Sequence, residues 1–547
     1  MKRPNYHTFA QFPSVGMQRS AFDQSFTYKT TLDAGYLVPC FQPIEILPGD
    51  TLNLRLTSFS RLATLVTPYM DNLYMDYFFF FVPNRLVWDD WEEFICADVN
   101  GPQGLIPQLK TGSSGSFAVG SLADYFGLPT GVNNLSVSVL PFRAYNLIFN
   151  EWFKRESLVT DAVINTGSTD ETWSDGDYVL RRRSKRPDYF VSAALWPQKG
   201  PGVELPLGGE APVRGNGKGL GLTDGTVTGD LMTPNAVTNS LVGNSLGQSL
   251  GASNTYRAAS GLTSKSLGVV TDPDKSGLVA DLSQATAATI NSLRQAFQIQ
   301  RLFERDALAG NGRYVEVLRS HFNVVSPDAR LQRPEYLGGG HLAVNVHTVA
   351  QTSGTSNTSP QANLAGFGVG AASGVGFTKS FVEHGYVIGL MSVRGEQTYQ
   401  YGIDRMSSRK GRFDFYWPVL AHLGEQAVLN KEIYAQGDSV LDTDGNIVDG
   451  QPFGYQERWA EYRYGASKIT GKLRSSASGS LDVWHLAQKW TQLPVLGETF
   501  VQEDPPVNRV IAVQNEPQFI YDSVVRARFV RPLPMYSVPG LVDHFYF

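Results

Sequence analysis

Residues 51–57, TLNLRLT, alternate without a break between leucine (Leu52, Leu54, Leu56) and polar side chains. Successive side chains of an extended strand point to opposite faces, so this period of two puts the three leucines on one buried face. The stretch is therefore committed to a half-buried β-strand, and Pro48, Gly49 and Asp50 supply the turn that leads into it. Residues 26–32 (FTYKTTL) and 35–39 (GYLVP) read as strands on the same grounds. Near the other end, residues 510–513 and 520–530 (IYDSVVRARFV) return to alternation before the aromatic tail at 545–547. Residues 72–82 carry Tyr74, Tyr77 and four consecutive phenylalanines, too apolar for a strand with one wet face, so they predict a strand buried on both. Strands at the two ends, with helices and loops between them, predict a mainly β fold with long insertions.

The intervening chain divides by composition. Residues 1–24 are polar and interrupted by Pro4 and Pro13, which predicts an extended arm that either frays or is pinned by a neighbouring subunit. Residues 25–198 form the first part of the core. Within them, residues 89–95 open a short helix on acidic residues, and 142–153 form a second with Pro141 in its first turn. From 199 to 287 the character changes: residues 200–286 hold sixteen glycines and one aromatic, Tyr256. So few large side chains cannot build a deep core, and the segment reads either as a surface insertion packed in short strands or as a disordered linker. Residues 288–547 complete the core. They begin with an amphipathic helix at 288–308, with Ile290, Leu293, Phe297, Arg301 and Leu302 along one face, stopped by Gly310 and Gly312. Residues 326–340 are expected to form an ordered irregular loop, and 351–376, which lack any charge, a flexible one. Strands resume at 381–390, and Asp444-Gly445 marks a tight hairpin turn.

Charged residues make up 18% of the 547 and aromatic residues 12%, so much of the surface is neutral, apolar or covered by neighbours. That composition favours an assembly subunit over a free monomer. A net charge of −5 excludes a nucleic-acid condenser, and any nucleic-acid contact must be local. Cys40 and Cys96 sit in apolar surroundings and are expected to be buried free thiols. The chain has neither a signal pattern nor a run of about 18 apolar residues, so it is expected to be soluble, made in a cytoplasm and not inserted in a membrane.

No catalytic, cofactor or metal constellation stands out. The glycine-rich 215–221 (GNGKGLG) lacks the Gly-Lys-Ser/Thr ending of a phosphate cradle. The calcium-like 272–277 has Ser283 instead of glutamate at its twelfth position, and 442–446 is followed by Ile447 where the glycine belongs. His341 and His347 could share a strand face but have no third ligand, and His384 and His422 lie in apolar context. No enzyme is predicted.

One charged run does stand out: Arg181, Arg182, Arg183, Lys185 and Arg186, five positive charges in six residues, followed by Tyr189 and Phe190. Guanidinium groups attract phosphates and aromatic rings stack on unpaired bases, so Arg181–Arg183, Lys185, Arg186 and Tyr189 are candidates for contact with single-stranded DNA. Inter-subunit ion pairing and a plain solvated loop are the competing readings.

Several longer stretches carry a family resemblance: 33–39 (DAGYLVP), 47–51 (LPGDT), 70–74 (MDNLY), 78–88 (FFFFVPNRLVW), 196–200 (WPQKG), 318–322 (LRSHF), 326–340 (SPDARLQRPEYLGGG) and 383–390 (EHGYVIGL). Together they resemble the major capsid protein of the Microviridae, small icosahedral single-stranded DNA bacteriophages, and specifically the gokushovirus branch. The resemblance implies an eight-stranded antiparallel jelly roll of the viral capsid type. It implies self-assembly of sixty copies into a T=1 shell around a circular single-stranded DNA genome. The implied partners are a small basic DNA-packaging protein, a scaffolding protein during assembly and a host-cell surface receptor, with residues 199–287 as a threefold protrusion used in attachment. The implied location is the virion, after assembly in the bacterial cytoplasm. A jelly roll also serves carbohydrate-binding proteins and glycosidases, which is the alternative reading.

Overall fold

The structure, a computed structural model, describes residues 19–96, 104–113, 115–173, 177–200, 290–308, 332–356 and 360–536, with short paired segments between 213 and 280. It is 33% strand and 19% helix, and it falls into two units, residues 1–199 with 304–547, and residues 200–303.

The first unit is built on ten strands: β1 (Ser20–Asp23), β2 (Phe26–Leu32), β3 (Val38–Pro39), β4 (Ile44–Ile46), β5 (Thr51–Leu62), β6 (Leu73–Pro83), β7 (Glu335–Ala350), β8 (Leu364–Ser380), β9 (Gly385–Gly395) and β10 (Phe519–Arg531). In space β2, β10, β5 and β8 lie side by side, and so do β4, β9, β6 and β7, all antiparallel. The β7–β8 hairpin joins the two halves of one curled sheet. β1 also pairs with β10 and β3 with β9, so β1–β2 and β3–β4 each occupy one broken strand position. Eight positions in two halves make the jelly roll.

The alternation in β5 does what the sequence requires: Leu52, Leu54 and Leu56 are fully buried while the residues between them are exposed. β6 is buried on both faces, as its phenylalanines predict. Phe79 and Phe81 join Leu52, Phe377 and Phe529 inside the sheet, whereas Phe80 and Val82 join Phe142, Tyr145 and Phe149 in a second core. That second core belongs to the insertion between β6 and β7 and includes helix α1 (Trp91–Cys96) and helix α2 (Leu140–Ile148), which continues as a single π-turn, Phe149–Phe153. Pro141 lies in the first turn of α2, where no amide donor is needed. A further insertion, residues 396–518, separates β9 from β10.

Several expectations change. Residues 335–340 are not loop but the start of β7, and the second half of 351–376 belongs to the long strand β8. Glycine disguised both. Gly338, Gly339 and Gly340 pair with Phe79, Phe78 and Tyr77, and a Cβ on Gly340 would lie 2.5 Å from Val375. A Cβ on Gly368 would come within 2.9 Å of Leu62. These strands lack side chains because their neighbours fill the space. Residues 20–23 of the expected arm are strand, paired with β10, whereas residues 1–18 lie outside the described residues. Residues 510–513 form no strand and contribute one bridge, Ile511 to Leu65. Cys40 is buried as expected but Cys96 is exposed, because α1 is one and a half turns long and its last residues point outward. The Gly310–Gly312 stop, 216–221 and 272–277 also lie outside the described residues.

In the second unit, three antiparallel pairs are nested in sequence: Val213–Gly215 with Leu278–Ala280, Leu222–Thr223 with Gly268–Val269, and Thr233–Pro234 with Leu241–Val242. Helix α3 (Ile290–Leu308) spans the boundary between the units in sequence. The apolar stripe expected on it, Leu293, Phe297 and Leu302, stays exposed.

Candidate functional site

Asp76 is an acid in the middle of an apolar strand, with β7 on one side of it and β9 on the other. His341 lies directly opposite on β7, and Arg394 projects from β9 two residues beyond Ser392, the partner of Asp76. The carboxylate accepts from His341 Nδ1 at 2.6 Å, Arg394 Nε at 2.9 Å and Arg183 Nη1 at 2.5 Å. Burial alone would raise its pKa, but the bonds from His341, Arg183 and Arg394 outweigh burial and hold the carboxyl below its ordinary range. Arg183 and Arg394 complete their packing over the rings of Phe78 and Tyr74.

Arg183 belongs to the basic run, and the structure shows what that run does. Its backbone is extended and hydrogen-bonded on two sides: Leu37 N donates to Arg181 O and Arg183 N to Gly35 O, while Lys185 N donates to Val501 O and Glu503 N to Arg183 O. The run thus ties the insertion before β7 to the edge of the jelly roll and to the insertion before β10. Arg181 is half-buried, with its guanidinium over Phe149 and a bond to Asp177 O. Arg182 stacks on Tyr36 and donates to Asp504 Oδ1 at 2.7 Å. Lys185 is buried, donating to Phe500 O at 2.6 Å and Gln488 Oε1 at 2.8 Å, and burial pulls its pKa down to about 8. Nearby Glu503, also buried, is pushed up by burial despite the amide of Gly395 and the positive charge of Lys185.

The run is therefore more than a plain solvated loop, and two of the candidate residues are buried. Lys185 is enclosed. Tyr189 is buried with its hydroxyl donating to Glu432 Oε2 at 2.8 Å and its ring edge-on to Phe190, so it offers no face to a base. Arg186 is the exposed member of the run. The counter-charges, Asp76 and Asp504, are 107 and 322 residues away in sequence, where no local pattern could reveal them.

The two histidines do not share a site: His341 meets Asp76, and His347 stacks on Phe367. No group of three or more metal-ligating side chains occurs among the described residues, and no described helix is long and apolar enough to cross a membrane. Residues 442–446 form a turn in which Asp442 accepts the amides of Asp444 and Asn446. The sequence reading passed over a second basic and aromatic stretch, residues 409–417 (RKGRFDFYW). Its signal was the interleaving of cations with rings instead of a run of like charges.

The arrangement offers ion pairs, packing and a braced sheet. Comparison with known proteins identifies the family. The family described as "Capsid protein (F protein)" matches residues 10–541. The chain is 45% identical to capsid protein VP1 of Bdellovibrio phage phiMH2K, covering 99% of each chain. It is 42% identical to capsid protein VP1 of Chlamydia phage 1 over 97% of each chain, and 36% identical to capsid protein VP1 of Spiroplasma virus 4 over 98% of this chain and 97% of that one. These relatives are structural proteins and not enzymes, and with a jelly roll and full-length similarity to them, this chain belongs to the microvirus capsid (F) protein family.

Proposed function

We propose that the chain is the shell-forming subunit of a T=1 icosahedral particle, sixty copies enclosing a circular single-stranded DNA genome. Full-length membership of the capsid family carries the reading. The jelly roll supplies a stiff wall, and the two insertions supply the surface that meets other copies. The glycine-rich 199–287, with its nested pairs, is the segment proposed to project outward and take part in host attachment. A subunit of net charge −5 cannot neutralise a genome that brings one negative charge per nucleotide, so a small basic packaging protein is the proposed source of counter-charge. A scaffolding protein is the proposed assembly partner. Within the basic run the proposed DNA contact narrows to Arg186 and the outer edges of Arg181, Arg182 and Arg183, since Lys185 and Tyr189 are enclosed.

The test is sedimentation of the chain, expressed alone and with its phage proteins, followed by electron microscopy of the fastest fraction. Closed particles of several megadaltons are expected. A monodisperse monomer under both conditions sinks the proposal.

A further inference from the structure

Residues 410–419 are ten consecutive exposed positions, and five of them are Phe413, Phe415, Tyr416, Trp417 and Val419. Val419 is 91% and Phe413 67% exposed. Side chains this apolar are left in water in a monomer only at a price in solubility, and patches of this kind mark contact surfaces.

The ledge is not loose chain. Asp414 accepts the amides of Lys410 and Gly411, both at 2.7 Å, and Trp417 Nε1 donates to Arg412 O at 3.1 Å. Arg409 is held over the rings of Phe415 and Tyr462 and bonds Glu461 at 3.4 Å. Trp459 Nε1 reaches Leu420 O at 3.4 Å and fixes the far end. The rings are therefore presented in place before anything binds, which lowers the entropy lost on contact.

We propose that this ledge is the surface by which one copy of the chain grips a second copy, an inference that rests on the capsid reading. Three observations select that occupant. Phe, Tyr, Trp and Arg are the residue types enriched at the buried centres of protein interfaces. With roughly 100 Å² still exposed on each large side chain, the five residues and Tyr462 offer on the order of 600 Å², most of the ~800 Å² that a stable interface takes from each partner. Charge supplies the third. Arg405 and Arg409 are paired with Glu432 and Glu461, which leaves the exposed Lys410 and Arg412 against Asp414, a net +1 in a chain of net −5. Two ledges gain no charge attraction from each other, whereas the rest of a second copy is net acidic. The contact is therefore heterologous, ledge against a different face, the kind that closes rings. Single-stranded DNA fits less well: Arg409 is already paired with Glu461, and Val419 has no ring to stack on a base.

The test expresses the wild type, Phe413→Asp with Val419→Asp, and Lys410→Glu with Arg412→Glu, each with the phage proteins that assembly requires. Shell yield is read by sedimentation and electron microscopy, DNA per shell by absorbance, and folding by thermal melting of the unassembled chain. The wild type is expected to form shells. Both variants are expected to fold with unchanged melting and to lose at least tenfold in shell yield. Variant shells at wild-type yield overturn the inference and leave the capsid reading intact. Normal yield with reduced DNA overturns it in favour of a genome contact. If the apolar variant melts early, Lys410→Glu alone decides, because Lys410 is exposed and forms no ion pair among the described residues, whereas the Arg412 guanidinium lies over the Trp417 ring. A wild type that forms no shell removes both readings together.

Discussion

Replacing Asp76 by asparagine keeps the shape of the side chain and removes the charge that two arginines and a histidine converge on. In the variant an amide nitrogen would face guanidinium donors, leaving Arg183 and Arg394 beside a neutral group at a site only 6% exposed. Removing one partner of a buried ion pair costs ~3–5 kcal/mol. Arg183 keeps some contact with water, its side chain being 21% exposed, so the lower end applies, about 3 kcal/mol. A domain of 150–250 residues loses roughly 2–4 °C per kcal/mol; scaled to a chain about twice that size, the melting temperature should fall by roughly 3–6 °C. The sign of the pH dependence follows from the lowered pKa of Asp76. Its contribution is fully present above the unfolded carboxyl value and is lost as pH falls through the lower folded value. Thermal melting of the unassembled wild type and Asp76→Asn, from pH 7 downward, should therefore show a gap that holds near neutrality and closes in acid. Arg183→Met should be non-additive with it, the double variant losing less than the sum of the two. A gap under about 1 °C at pH 7, or one that persists unchanged in acid, would refute the account of Asp76 as the point that braces the sheet.

Arg186→Ala should lower DNA per shell and leave shell yield unchanged, while Arg183→Ala should impair folding; equal DNA content in Arg186→Ala shells removes the proposed contact. Gly389→Ala would drive a methyl into the Phe41 ring and to 2.7 Å from Cys40 Sγ, so a loss of ~1–3 kcal/mol is expected by denaturant titration, and a neutral result would mean that this part of the core can relax. Lys185 has its folded pKa lowered to about 8, so below pH 8 the fold bears a buried charge, a burden relieved as pH rises from 8 towards 10.5. Wild-type stability relative to Lys185→Met should therefore increase by about 3 kcal/mol between pH 7 and 10.5, and a pH-independent difference would contradict the burial argument.

The strands that could be read in the sequence are those whose burial is written in their own side chains. β5 shows its wet and dry faces in alternation, and β6 shows two dry faces in its phenylalanines. β7 and β8 could not be read this way, because their glycines are small on account of Tyr77, Leu62 and Val375, residues remote from them in sequence. The basic run is visible as charge, but the partners that engage Arg183 and Arg182, Asp76 and Asp504, are remote in sequence and leave no local sign. Residues 409–417 carried the complementary signal: there the charges and rings alternate, and the side chains remain exposed.

β10 lies between β2 and β5, so this half of the wall is completed by a strand made long after its two neighbours. Some 450 residues separate β5 from β10, and at ~5–20 residues per second a ribosome needs roughly 20–90 s to cover that distance. Throughout that interval β2 and β5 keep unpaired edges, the condition under which strands recruit the wrong neighbour. The nascent chain therefore has a long period of vulnerability and a definite end to it, and a product truncated before Phe519 never reaches that end. The order of synthesis thus sets when this half of the sheet can close: after β10 has been translated, and not before.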